Sequence, residues 1–292
     1  MLQERMEDES SRREAMLLDP SQNATSNFKT VKQIFNDGPD PSMKIMFGIP
    51  STGWIRFEFH TAMSQLIIPC NWANSVSSPI GFDVATARNH IVEHALRDGH
   101  DWVFFVDHDV ILPPDTLLKL RNHMLLARSP VVGGLYYAKG SYPEPLIYRD
   151  RGTGPYYDWD PGDQVWVDGM GMGCTMIHAS LFRAMSSPWF ESPRRYSFDK
   201  EKGCYIHESG TEDLFFLSRV IDENIIEKTG IKWDIEDPKY PFIMDTSLYC
   251  GHIDHSTGKV YPECRPESDW KGIHLKVRER LQRKRAEAAA AA

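Results

Sequence analysis

Residues 102–109, WVFFVDHD, are the most informative stretch of this sequence. Its first five residues are aromatic or β-branched, which is typical of a short buried strand, and the run then ends in Asp107 and Asp109. Because burying a carboxylate is costly, both side chains are expected at the exposed tip of the strand. Ligands of open parallel sheets bind outside the carboxyl ends of the strands, and two acidic side chains there suit a divalent cation that carries a phosphorylated ligand.

A helix is predicted directly after this strand. Residues 113–115, Pro-Pro-Asp, place prolines and an acid in its first turn, and leucines follow at residues 117, 118 and 120. The two aspartates therefore lie in a strand-to-helix loop. Aspartate is also common in turns and helix caps because its side chain bonds nearby backbone, so the motif taken alone leaves a purely structural role open.

The composition indicates a globular protein. With 292 residues, of which 41% are hydrophobic and 11% aromatic, the chain can fill the core of one large α/β domain or two small ones. The first residues are charged and no apolar run approaches the roughly 18 residues of a membrane span, so a cytoplasmic protein without a transmembrane segment is expected. The five cysteines are scattered and odd in number, which argues against a disulfide framework.

Three regions are predicted along the chain. Residues 1–42 are polar and charged and end in Asp-Gly-Pro-Asp-Pro, which is typical of an N-terminal arm that is partly helical or flexible. Residues 43–265 form the main domain, and residues 266–292 form a basic helical tail. The net charge of −8 argues against broad electrostatic binding to nucleic acid, although this local basic patch could still bind nucleic acid or an anionic membrane. A solvated helix or a homo-oligomer contact is the commoner role of such a stretch.

Two strand–loop–helix units precede or include the acidic strand. Residues 44–49 predict a strand, residues 50–53 a turn and residues 55–66 a helix, and a second helix begins within residues 81–89. Arg88 lies near the margin of this second helix. A guanidinium can bind a diphosphate in bidentate fashion, although a surface ion pair is the commoner role of a lone arginine on a helix.

Glycines and short strands dominate the middle of the chain. Residues 169–173, GMGMG, lack the spacing of a dinucleotide fingerprint, so close backbone packing beneath the site is the simpler explanation. Residues 186–208 are polar and aromatic and predict a loop. Strands are predicted at residues 130–137, 145–148, 164–168 and 174–177.

A second pair of acids opens a later helix. Ser209 and Glu212 have the spacing of a capping box, which gives Glu212 a specific structural explanation. Asp213 has no such explanation. A carboxylate in the first turn is stabilised by the helix dipole, so Asp213 is a candidate proton acceptor.

The last predicted strand, residues 245–252, ends in His252. A zinc site is an alternative use of this region, but the spacing of its candidate ligands fits no standard zinc finger. Those ligands are Cys250, His252, His255 and Cys264.

Three motifs occur in a fixed order: Asp-x-Asp at residues 107–109, Glu-Asp at 212–213, and Asp-x-Ser-x-x-Cys-Gly-His at 245–252. Together with Ala-Arg-Asn at 87–89 and Gly-Met-Gly-Cys at 171–174, they resemble the glycosyltransferases of the GT-A fold, in particular the large family-2-like group. The resemblance implies an α/β nucleotide-diphospho-sugar transferase fold with a mixed, mostly parallel central sheet flanked by helices.

The same resemblance implies a metal-dependent enzyme that moves a sugar from a nucleotide-sugar donor, a UDP- or GDP-sugar, to an acceptor hydroxyl. Mn²⁺ or Mg²⁺ would be held by Asp107, Asp109 and His252, with Asp107 shared with the ribose. Asp213, with Glu212 beside it, would deprotonate the acceptor in an inverting reaction. The residues implied to border the nucleotide-sugar are Pro50, Ser51, Asp83, Arg88 and Asp107.

Two other functions remain open at this stage. A metal-dependent nucleotidyltransferase normally carries a basic residue in the loop after its first strand, and residues 50–53 contain none. A catalytically silent sugar-nucleotide-binding protein is the other alternative. The acceptor is likewise open among a glycan, a lipid, a protein and a modified nucleic-acid base.

Overall fold

A computed structural model describes residues 43–140, 144–150, 152–199, 204–262 and 268–291. The predicted N-terminal arm, residues 1–42, and Cys264 lie outside the described residues.

The first half of the domain contains the predicted strands and helices, together with a strand at Trp72–Ser77, which was not predicted. Its elements are β1 (Met43–Gly48), α1 (Phe57–Ser64), β2 (Trp72–Ser77), α2 (Val84–Arg97), β3 (Trp102–Val106), β4 (Val110–Ile111), α3 (Thr116–Leu125), β5 (Val131–Leu135), β6 (Ile147–Tyr148) and β7 (Gln164–Val167).

The second half is richer in short strands. Its elements are β8 (Gly169–Met170), β9 (Cys174–His178), α4 (Ala179–Ala184), β10 (Arg194–Asp199), β11 (Cys204–Ser209), α5 (Glu212–Asp222), α6 (Ile225–Lys228), β12 (Phe242–Tyr249), β13 (Gly251–Ile253), β14 (Val260–Tyr261) and α7 (Ser268–Ala291).

A seven-stranded sheet in the order β2-β1-β3-β9-β5-β12-β7 forms the centre of the molecule. Five of these strands run in one direction, and β9 and β7 run against them. The predicted mixed, mostly parallel α/β sheet is therefore confirmed. The acidic strand β3 lies inside this sheet, so its carboxyl end is at the middle of the sheet edge.

Strand β3 also explains why helices cover both faces of the sheet. Val103 and Phe105 enter one apolar cluster, with α2, α4 and α5, whereas Phe104 and Val106 enter the other, with α1 and α3. Alternate side chains of a strand point to opposite faces, and here all five residues of the strand are buried. The continuous apolar run is thus the pattern of a strand buried on both sides.

Two local predictions were wrong. Strands β10 and β11 form an antiparallel pair within the segment that was predicted as a loop. The predicted capping box of Ser209 and Glu212 is also absent: Ser209 is the last residue of β11, the N-cap of α5 is Thr211, and no side-chain capping bond is formed there. The Glu212 carboxylate instead pairs with Arg88, from a distant part of the chain.

A small three-stranded sheet, β14-β13-β4, lies beside the end of the acidic strand. In this sheet His252 pairs with Val110, the residue that follows Asp109. The single strand predicted over residues 245–252 is in fact divided between β12 and β13, with Cys250 at the division. This division lets β13 leave the main sheet and reach β4.

The C-terminal helix α7 contacts the main domain. The His274 ring lies 3.8 Å from the Trp159 ring, centroid to centroid, and its Nε2 donates to the Trp159 carbonyl at 2.9 Å. Arg278 pairs with Asp158 at 3.1 Å and with Asp160 at 2.6 Å. At least one basic residue of the predicted tail is therefore used within the chain. Among the helices that the structure describes, none has the length and apolar character to cross a membrane.

Candidate active site

Asp107 is fixed at the end of β3 by its backbone and its side chain. Its N–H donates to the Gly173 carbonyl at 3.1 Å, and its own carbonyl accepts from Val110 N–H at 2.9 Å. Its Oδ1 accepts from Arg88 Nη2 at 2.9 Å. The side chain retains 25% exposure, so it reaches the rim of the sheet while one oxygen is held from below.

Arg88 is buried at the centre of an ion-pair network. The residue is 1% exposed, and its guanidinium bridges Asp107 and Glu212. It also lies over the rings of Phe105 and Phe190, at 5.7 and 6.0 Å from their centroids. Burial alone would lower the pKa of Arg88, but the charges of Asp107 and Glu212 outweigh it and raise the pKa.

This arrangement bears on the predicted role of Arg88. Both terminal nitrogens already bind carboxylates, and a diphosphate would have to displace one of them from a buried site. The structure shows Arg88 in ion pairs, as the alternative role predicted, although these pairs are buried rather than on the surface. Arg88 thus joins the acidic motif to the first turn of α5.

The two acids at the start of α5 differ in their surroundings. Glu212 is 8% exposed, and burial raises its pKa, opposed by the Arg88 charge and reinforced by the Asp213 charge. Asp213 is only partly buried, and its Oδ1 accepts from the Leu214 N–H at 2.7 Å. Glu212 is therefore engaged by Arg88, whereas Asp213 lies nearer to solvent.

Tyr136 lies among these groups and links them to the third motif. Its hydroxyl accepts from Gly173 N–H at 2.8 Å, and its ring meets the His252 ring edge-on at 5.3 Å. Burial raises the pKa of the Tyr136 phenol, and the charges of Asp107 and Asp213 raise it further. These interactions bring all three sequence motifs around one phenol ring.

The glycines of residues 169–173 permit this packing. A Cβ on Gly173 would lie 2.7 Å from Val110 Cγ2 and 2.9 Å from Tyr136 Cζ, closer than real side chains approach. The close backbone packing predicted for this stretch is what the structure contains.

Asp109 and His252 approach each other at the rim. Asp109 Oδ2 lies 3.6 Å from His252 Nε2, and the Lys139 ammonium donates to the same oxygen. The Asp109 carbonyl accepts from Ile253 N–H at 2.8 Å, which continues the β4–β13 pairing. Burial would raise the pKa of Asp109, but His252 and Lys139 outweigh it and hold the pKa well below its ordinary value.

The orientation of His252 is set by its other ring nitrogen. Nδ1 lies 2.7 Å from the Tyr137 carbonyl, which can only accept, so Nδ1 carries a proton. Nε2 is then the ring nitrogen that faces Asp109. A histidine held in this way by a backbone carbonyl is the usual arrangement of a metal-ligating imidazole.

No group of three or more His, Cys, Asp and Glu side chains in the described part of the chain is clustered closely enough to hold a metal ion. Asp107, Asp109 and His252 are therefore not a preassembled ligand set, and an ion there needs oxygens from a bound ligand. The zinc alternative likewise gains no support from the described residues. Cys250 is buried, and its Sγ lies 4.0 Å from the Leu248 carbonyl.

The loop after β1 joins the same rim. Thr52 Oγ1 lies 3.4 Å from His108 Nε2, and the His108 ring stacks on that of His255 at 4.6 Å. Pro50 and Ser51 are buried at the base of this loop, where the Ser51 hydroxyl accepts from Gly53 N–H at 3.0 Å.

Asp83 has a structural role of its own. It is the N-cap of α2, and its carboxylate accepts from the Thr86 N–H at 3.1 Å and the Thr86 hydroxyl at 2.6 Å. These bonds lower the pKa of Asp83. Its predicted contact with the nucleotide stays a prediction.

The sequence analysis missed Lys139, and for Tyr136 it left a place in a pocket open beside a role in core packing. Tyr136 lies in a run of residues typical of a strand, and Lys139 lies in a segment predicted only as loop. Neither carries a local motif, because their positions depend on how β5 pairs in the sheet.

Acidic and basic side chains from distant parts of the sequence thus meet at one edge of the α/β sheet. A sequence comparison indicates the class of protein that carries them. Residues 74–184 match the family model described as glycosyl transferase family 2. The match confirms the predicted resemblance to family-2-like glycosyltransferases of the GT-A fold, and with it the enzyme class. It includes Arg88, Asp107, Asp109 and Lys139, and it ends before the acids of α5 and His252.

Solved structures that resemble the chain are distant. A197 from STIV is 20% identical with a TM-score of 0.47, and the alignment covers 75% of this chain and 92% of A197. S. aureus TarS 1-349 in complex with UDP-GlcNAc is 12% identical with a TM-score of 0.38, and the alignment covers 71% of this chain and 57% of that one. No curated protein sequence matches the chain.

Proposed function

We propose that this glycosyltransferase moves a sugar from a UDP- or GDP-sugar to an acceptor hydroxyl with the help of Mn²⁺ or Mg²⁺. The observation that carries the proposal is the approach of His252 Nε2 to Asp109 Oδ2, at 3.6 Å, beside Asp107. These side chains come from distant parts of the sequence, and the pairing of β4 with β13 brings them together.

The side chains at the rim fit a divalent cation. His252 and Lys139 hold the pKa of Asp109 low, and the bond from His252 Nδ1 to the Tyr137 carbonyl leaves Nε2 facing Asp109. Carboxylate and imidazole suit Mn²⁺, and two protein ligands leave coordination positions for phosphate oxygens and water. When bound, the ion supplies the positive charge that stabilises the departing nucleoside diphosphate.

The remaining residues are assigned by position. Asp107 would contact the ribose or share the ion, since its side chain reaches the rim while Arg88 holds Oδ1. Pro50, Ser51 and Asp83 would border the nucleotide from the loops after β1 and before α2. Arg88 acts here as a positioning residue rather than as a diphosphate ligand.

Asp213 is the proposed base. Glu212 is already bound to Arg88, so Asp213 is the acid at this helix start that can accept the acceptor's proton. The acceptor oxygen forms a bond to the anomeric carbon as the bond from that carbon to the phosphate oxygen breaks. The electron pair leaves on the diphosphate, and attack from the opposite face inverts the anomeric configuration.

The test is nucleotide release from a panel of UDP-, GDP-, CMP- and TDP-sugars with Mn²⁺, using wild type, Asp109→Asn and Asp213→Asn. Asp109→Asn is expected to lower the rate of nucleotide release about 10²-fold or more, because an ion bound there would stabilise the charge that develops on the diphosphate by several kcal/mol. Glu223→Gln, at the C-cap of the same helix as Asp213, is the matched control and should retain wild-type rates.

Other outcomes would change the assignment. Release of a sugar 1-phosphate from a UDP-, GDP- or TDP-sugar, in place of the nucleoside diphosphate, would indicate a nucleotidyltransferase. Absence of both turnover and nucleotide binding would indicate the silent-protein alternative. Adding glycan, lipid, protein and nucleic-acid acceptors to the same assay identifies the acceptor class, and the anomeric configuration of the product tests inversion.

A further inference from the structure

Lys139 shares an oxygen with the proposed metal site. Its ammonium donates to Asp109 Oδ2, the same atom that lies 3.6 Å from His252 Nε2. The Lys139 side chain is 32% exposed, whereas those of Asp109 and His252 are 16% and 14% exposed. A positive charge from the protein is therefore already placed at the oxygen that a divalent cation would bind.

The backbone just before Lys139 is held by three hydrogen bonds. The Tyr137 carbonyl accepts from His252 Nδ1, the Ala138 N–H donates to the Glu144 carbonyl at 2.8 Å, and the Tyr136 carbonyl accepts from the Leu146 N–H at 3.1 Å. The ammonium, in contrast, lies at the end of a flexible four-carbon side chain. The segment can thus keep His252 oriented while the Lys139 charge moves.

An ammonium and an inner-sphere dication cannot both bind one carboxylate oxygen favourably. They compete for the same lone pairs and repel each other at a distance of a few ångströms, where charges in a partly buried site interact strongly. A diphosphate changes the balance, because it offers the ammonium a new anionic partner within the same site. Lysine is a common phosphate ligand as a compact point charge.

We propose that Lys139 is the resident cation of the Asp109–His252 site, that it opposes metal binding in the free enzyme, and that it moves onto the diphosphate when ion and donor bind together. This inference rests on the proposed function, because it takes Asp109 and His252 as the metal ligands. Movement of Lys139 would make each binding event favour the other: bound metal frees Lys139 to bind the donor diphosphate, and bound donor removes Lys139 from the metal ligand.

The first test measures binding of Mn²⁺ alone to the full chain by calorimetry or by the loss of the free-ion paramagnetic resonance signal. Lys139→Met is expected to bind Mn²⁺ about tenfold more tightly than wild type, since one competing positive charge is removed. Lys139→Arg, which keeps the charge, should bind as weakly as wild type. The matched control is Lys239→Met, which removes an exposed lysine paired with Asp150 and should leave the affinity unchanged.

The second test measures binding of inorganic pyrophosphate in saturating Mn²⁺. Here Lys139→Met is expected to bind about fivefold or more weakly than wild type, because the phosphate loses a charged partner. The opposite signs of the two effects distinguish an exchanging lysine from one that only stabilises the fold, which would leave both affinities unchanged.

The outcomes separate the two proposals. If wild type binds Mn²⁺, Asp109→Asn does not, and Lys139→Met binds no more tightly than wild type, the role of Lys139 is wrong and the metal site stands. If neither wild type nor Lys139→Met binds Mn²⁺, with or without pyrophosphate, the metal assignment itself is wrong and the inference about Lys139 is overturned with it.

Discussion

Asp107 and Asp109 are separated by one residue, yet their charges are balanced in different ways. Asp107 is paired with Arg88, whose side chain is 2% exposed and is held between two carboxylates and two aromatic rings. Asp109 is paired with Lys139, whose side chain is flexible and 32% exposed. One motif therefore combines a buried counter-charge, which holds the site together, with an exposed and exchangeable one, which leaves room for a ligand.

The largest expected effect comes from removing the permanent counter-charge. Arg88→Met leaves Asp107 and Glu212 without their common partner, and breaking such a buried pair costs about 3–5 kcal/mol of unfolding free energy. Urea denaturation at neutral pH measures this loss. Arg97→Met, which removes an exposed ion pair with Asp98, should cost less than about 0.5 kcal/mol, and equal losses in the two variants would contradict the comparison.

A smaller effect is expected when charge is kept but geometry is changed. Arg88→Lys retains one cation but cannot bridge two carboxylates with a planar fork, so it should cost about 1–3 kcal/mol of unfolding free energy. Lys139→Arg should change stability by no more than about 0.5 kcal/mol, because its partner is at the rim and the site is open to a longer side chain. Urea midpoints of the two variants test this contrast, and a Lys139→Arg loss as large as that of Arg88→Lys would make the two counter-charges equivalent.

The smallest effect concerns Asp109 and pH. Because the pKa of Asp109 is held below its value in the unfolded chain, its carboxylate contributes stability above that unfolded value and loses it as the pH falls. Asp109→Asn should therefore cost about 1 kcal/mol of unfolding free energy from pH 8 to about pH 5, and the cost should shrink below about pH 4. Urea midpoints across this range measure it, and a cost that grows on acidification would contradict the assigned direction.

Much of the fold could be predicted from the sequence. The apolar run of β3 and its abrupt acidic end placed Asp107 and Asp109 at the sheet edge, because strand burial and the cost of buried charge act locally. The glycines at residues 169–173 lack the spacing of a phosphate-binding turn, so close backbone packing was expected instead. That expectation is confirmed, because a side chain at Gly173 would collide with its neighbours.

The rest depends on contacts between distant residues. Ser209 and Glu212 have the local spacing of a capping box, but the structure pairs the Glu212 carboxylate with Arg88 from α2. The long-range ion pair takes the place of the local hydrogen bonds. The antiparallel pair β10–β11 was missed because its strands carry polar residues without clear alternation. Lys139 was missed because nothing near it in sequence indicates that the segment after β5 lies beside Asp109.

The pairing of β4 with β13 has a consequence for how the enzyme is made. Synthesis on the ribosome produces the acidic motif early and His252 only near the end of the domain, so a nascent chain that stops before β13 has half of the proposed ion site. The β4–β13 register is a long-range contact, which closes late because a long loop must be ordered first. The Asp109–His252 pair proposed to hold the ion is therefore complete only after the chain has been made through β13 and β13 has paired with β4.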